Sequence, residues 1–94
     1  MRVEVTQEDI DKGVVGHIHS CPIALAVCRR TGLNSSMVNI GQRSFTLSFS
    51  KCRLGGELPI EGKEFVKNFD TRKKVAPFTL ELDLSKAKQT KREM

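Results

Sequence analysis

The 94-residue sequence contains no tryptophan and no tyrosine, so any stacking on a nucleic-acid base falls to five phenylalanines, two histidines and the arginines. No apolar run approaches the roughly 18 residues that span a bilayer. The first ten residues, MRVEVTQEDI, are polar and acidic where a signal peptide needs its apolar stretch. These absences predict a soluble, cytoplasmic protein. Cysteine is also scarce. Three residues irregularly placed at 21, 28 and 52 are an odd number and not the framework of a disulfide-stapled secreted domain, so reduced thiols are expected. The chain also lacks a nucleophile elbow, a phosphate-cradling glycine loop, a paired-carboxylate pattern and a metalloprotease helix. A protein that is not an enzyme, and that needs no cofactor, is the expectation.

A hydrophobic content of 38% with 29% charged residues suits one domain with a single small core. The formal charge of +5 is uneven, because the last ten residues, SKAKQTKREM, carry +3 of it. Residues 1–84 therefore read as one α+β domain and 85–94 as a flexible basic tail. Within the domain, Arg2 to Val5 alternates as a strand, and Thr6-Gln7-Glu8-Asp9 resembles a capping box that opens a short helix ending near Gly13. Ser20 reads as the cap of a second helix with Pro22 in its first turn and Gly32 at its stop. Val38 and Ile40, a reversal at Gly41-Gln42, and Phe45, Leu47 and Phe49 predict a hairpin. Gly55-Gly56 breaks that pattern, Pro59 opens a third helix, and Phe78, Leu80, Leu82 and Leu84 alternate as a last strand. The order β-α-α-β-β-α-β predicts a small antiparallel or mixed sheet of about four strands, with two to three helices on one face. A chain this short would gain stability and a shared cleft by forming a homo-oligomer.

The chemistry concentrates in G-H-I-H-S-C-P-I-A-L-A-V-C-R-R-T-G, residues 16 to 32. His17, His19 and Cys21 alternate, so in an extended segment they would face one side. Structural zinc usually takes four ligands, and the only other cysteines are Cys28 along the helix and the distant Cys52, so no metal is expected. Cys21 near a helix start with a histidine base is the skeleton of a cysteine enzyme, but nothing supplies the rest. The segment suits anion binding better: the helix start offers N–H donors beside Ser20, and the histidines add ring N–H groups. Arg29, Arg30, Arg43, Lys51, Arg53 and the run Arg72-Lys73-Lys74 supply charge from elsewhere. The candidate ligand-binding set is thus His17, His19, Ser20, Cys21, Arg29, Arg30, Arg43, Lys51 and Arg53.

The motifs V-x-V-T-Q-E-D-I-D-x-G, C-P-I-A-L-A-V and E-F-V-x-x-F-D followed by P-F-x-L-E-L, between Val3 and Leu84, resemble a family of small bacteriophage and prophage proteins. The resemblance implies a viral source and a setting in the host cytoplasm. By analogy with other small phage proteins it points to a sponge, an oligomer that sequesters a cyclic nucleotide signal of host immunity without cleaving it. A module that binds RNA or DNA, and an inhibitor that contacts a host protein directly, are the alternative readings. No membrane partner is expected.

Overall fold

In a computed structural model that describes residues 1–84 and the backbone of 88–91, alternation along the first strand, β1 (Arg2–Val5), buries Val3 and Val5 and exposes Arg2 and Glu4. The capping box then starts α1 (Gln7–Lys12): the Thr6 hydroxyl accepts from the Asp9 N–H, and the Asp9 carboxylate accepts from the Thr6 N–H. Gly13 ends that helix against the start of α2 (Pro22–Thr31), and a Cβ on Gly13 would lie 2.6 Å from the Pro22 ring. Only glycine permits so close an approach. Gly32 closes α2 at φ 76°, the left-handed position glycine favours.

The cap of α2 differs from the sequence expectation. Cys21, not Ser20, occupies it, and its sulfur accepts from the Ala24 N–H at 3.4 Å. Cysteine is not among the usual capping residues, whereas Ser20 one place earlier is.

A 3-10 turn (Ser35–Met37) leads into β2 (Val38–Ile40), β3 (Ser44–Ser48) and β4 (Cys52–Glu57). Ile40 faces Phe45, and the Gly41 N–H bonds the Ser44 carbonyl at 2.9 Å, so the reversal centres on Gln42-Arg43, one residue beyond the expected place. Gly55 and Gly56 do not end the sheet. They pair with Thr46 and Phe45 inside β4, because the N–H and C=O groups of glycine join a strand ladder as those of any non-proline residue do and the open edge of β3 offers the partners. Helix α3 (Ile60–Asp70) follows Pro59, and β5 (Phe78–Glu81) buries Leu80 but ends before Leu82 and Leu84, which the sequence pattern had placed in the same strand; Leu82 is buried beyond its end.

The fold is α+β, with all strand pairs antiparallel. It has two sheets where the sequence suggested one. With β2 and β4 on either side of β3, no edge of that strand is left for β5, which pairs instead with β1, Val3 opposite Leu80 and Val5 opposite Phe78. Helix α2 packs on both β1 and β2 and so ties the sheets into one core around Ile23, Val27, Val38, Leu47 and Leu80. Helix α3 joins that core through Phe65, whose ring stacks 4.8 Å from Phe78, and through Gly62, which lets Leu80 approach. The segment read as a tail contributes β6 (Lys88–Lys91), paired with β4; its other residues, 85–87 and 92–94, lie outside the described residues. No helix among the described residues is long and apolar enough to cross a membrane.

Candidate functional site

The connection before α2 is turned, not extended. The Val14 N–H bonds the Ser20 carbonyl at 2.9 Å, and the His17 carbonyl accepts from the N–H groups of Ser20 and Cys21 at 3.2 and 3.0 Å. Alternate residues therefore do not share a side, and His19 goes to surroundings different from those of His17 and Cys21. His17 is exposed. His19 Nδ1 lies 2.9 Å from the Val38 carbonyl and 3.0 Å from that of Ser35; carbonyls only accept, so this nitrogen carries the hydrogen and pins the connection to the 3-10 turn. Cys21 is buried at the helix cap, and burial raises its thiol pKa above the ordinary range, which disfavours the thiolate a nucleophile or metal ligand requires. Among the described residues no group of three or more His, Cys, Asp or Glu side chains could hold a metal ion.

His17 and Cys21 do line a recess with Gln42 and Asp70, but its volume of about 160 Å³ falls below the range of roughly 300–1,000 Å³ usual for ligand sites. The arginines proposed to work with this helix start lie at the other end of α2. A ten-residue helix is about 15 Å long, so the Ser20 turn and the pair Arg29-Arg30 cannot hold one phosphate between them. Arg43, Lys51 and Arg53 are equally dispersed. Arg43 sits at the reversal before β3, while Lys51 and Arg53 follow its far end, about 17 Å away along the strand.

What the last turn of α2 does meet is β1. Arg29 donates from Nη1 and Nη2 to the two carboxylate oxygens of Asp9 at 2.7 and 2.9 Å, and from Nη2 to the Glu4 carbonyl at 2.8 Å. Asp9 is 4% exposed. Burial alone would raise its pKa, but the Arg29 hydrogen bond and those from the Thr6 backbone and hydroxyl outweigh it and hold the carboxyl below the usual carboxylate value. Arg29 is thus occupied in joining β1, α1 and α2.

Arg30 is placed differently. Its Nε donates to the Arg2 carbonyl at 3.2 Å, and among the described residues its terminal nitrogens meet no partner. The Arg2 guanidinium likewise makes no hydrogen bond or ion pair with a described residue. Together with Glu4, Thr6, Ala26 and Arg29, these two arginines line a cleft of about 540 Å³. Of the residues singled out in the sequence, the structure brings together His17 and Cys21 at the small recess and Arg29 and Arg30 at this cleft, to which it adds Arg2. The signal for Arg2 was present in the alternation of β1, which puts Arg2 and Glu4 on one wet face. Compared with protein-family models, with curated proteins and with solved structures, the chain matches none of them.

Proposed function

We propose that this chain is a non-catalytic binding protein that sequesters a phosphorylated small molecule, a cyclic nucleotide of the kind used in host defence, in the cleft between β1 and the last turn of α2. The observation that carries this reading is that, among the described residues, the Arg2 guanidinium and the terminal nitrogens of Arg30 meet no partner at one cleft of ligand size. Guanidinium forks suit phosphate oxygens because they offer paired donors in a plane. The Arg29–Asp9 pair fixes the elements that carry them, so the ordering left for binding is that of the two side chains. Glu4, on the same face, can accept from an amino or hydroxyl group of a nucleotide.

Among the described residues the cleft lining contains no histidine or cysteine and a single carboxylate, so a bound nucleotide is expected to leave unchanged. A second copy closing over the open side would shield the phosphate from water, and a homo-oligomer is part of the proposal. Sequestration without cleavage fits the phage-like motifs of the sequence and a site of action in the host cytoplasm.

A thermal-shift screen against cyclic di- and trinucleotides, with mass analysis of the recovered ligand, tests the reading. A stabilising nucleotide recovered intact is the expected result. A hydrolysed product, or no shift with any member of the panel, overturns it.

A further inference from the structure

A second groove, sharing no lining residue with the arginine cleft, lies between the α1–α2 connection and the chain that leaves α3. Its volume is about 710 Å³. The apolar surface is aliphatic apart from Phe69: Val14 and Val15, 43% and 37% exposed, face the groove with Ile10 and Val75. Arg72, Lys73 and Lys74 line the same groove, which no carboxylate of the described residues lines. Among the described residues none of these three cations is in an ion pair. The nearest acid in the chain, Asp70, instead accepts from the Gly16 N–H at 3.2 Å.

The backbone that presents these cations is strained. Helix α3 ends at Thr71 with the Lys73 N–H bonded to the Asn68 carbonyl at 2.8 Å and the Arg72 N–H to the Phe69 carbonyl at 3.1 Å. This pair of bonds requires a left-handed residue after the cap, a place where glycine is the usual occupant. Here it is Arg72, at φ 62°, the one described non-glycine residue with positive φ. The Arg72 side chain makes no hydrogen bond or ion pair with any described residue, so the fold gains nothing visible from an arginine there. Strain kept without a structural return points to a ligand contact.

We propose that this groove binds a free alkyl anion, a monomeric aliphatic chain with a phosphate or carboxylate head. The chain lies on Val14, Val15 and Val75, where burial of methylene groups drives binding, and the head is held by Arg72 and the two lysines. A surface that is aliphatic apart from Phe69 favours an alkyl body over a flat base, which separates this site from the nucleotide cleft.

Calorimetry and amide shift mapping with dodecyl phosphate and decanoate, each kept monomeric, test the site. Saturable one-to-one binding is expected, with shifts centred on residues 13–15 and 72–75. Lys73→Glu with Lys74→Glu should weaken it at least about tenfold. Arg72→Gly should weaken binding while raising the melting temperature, a combination that a purely structural role for Arg72 would not produce. Absence of saturation at about 1 mM overturns the proposal. So do shifts centred on Arg2 and Arg30, equal binding of uncharged dodecanol, unchanged affinity in the variants, or binding to anionic vesicles alone, which would make the groove a membrane contact. Because nucleotide binding is read at a cleft with no residue in common, failure of either site leaves the other measurable.

Discussion

At the scale of single residues, Asp9 and Arg29 show how chemistry that looks functional in a sequence can be spent on the fold. Asp9 is nearly buried and is held by the Thr6 hydroxyl, the Thr6 N–H and both terminal nitrogens of Arg29. Arg29→Ala leaves that carboxylate under-satisfied and should lower unfolding free energy by about 1–3 kcal/mol in urea titrations. Arg30→Ala, which removes one bond to a backbone carbonyl at an exposed position, should cost less than about 1 kcal/mol. The two neighbouring arginines are therefore distinguishable by stability alone. A pH dependence follows as well. Because the folded-state pKa of Asp9 is depressed, its contribution is fully present above the ordinary carboxylate pKa and is lost as pH falls through the lower folded value. Urea midpoints between pH 6 and pH 2 should fall more steeply for the wild type than for Asp9→Asn (all other carboxylates being common to both); parallel curves would contradict the assignment. None of this was legible in the sequence beyond the capping box itself, since Asp9 and Arg29 are twenty residues apart and only the packing of α1 against α2 brings them together.

At the scale of elements, what was legible is what local periodicity encodes. The capping box, the glycine stop of α2, the α3 start after Pro59 and the alternation of β1 appear where the pattern put them, while β3 and β5 keep the expected alternation but end at Ser48 and Glu81, short of Phe49 and of Leu82 and Leu84. What was not legible depends on partners distant in sequence. Strand β4 carries two glycines and little alternation, so only its pairing with β3 makes it a strand. The residues before α2 alternate in type, yet backbone bonds fold them into turns and scatter the presumed ligand set. Close packing between elements gives a further prediction. Gly13→Ala would drive a methyl group into Pro22 and should destabilise by about 1–3 kcal/mol, measured by thermal or urea unfolding. At the other helix end Arg72→Gly should stabilise by roughly 1 kcal/mol through relief of the left-handed strain, and a loss of stability there would show that the arginine side chain serves the fold after all.

At the scale of the whole molecule, the arrangement of two small sheets around α2 places the cleft at the junction that the Arg29–Asp9 pair secures. Binding there should stabilise the folded state by mass action, and light scattering should find a dimer or larger species at tens of micromolar, a monomer removing the closed-cleft arrangement. The central claim is that Arg2 and Arg30, contributed by different elements, hold one phosphate group between them. A calorimetric double-mutant cycle with a nucleotide that passes the screen tests it most directly. If both arginines grip the same group, Arg2→Ala and Arg30→Ala should each lose on the order of 1.5–3 kcal/mol of binding free energy, and the double variant should lose measurably less than the sum. Wild-type affinity in either single variant, or losses that simply add, would contradict a shared phosphate site.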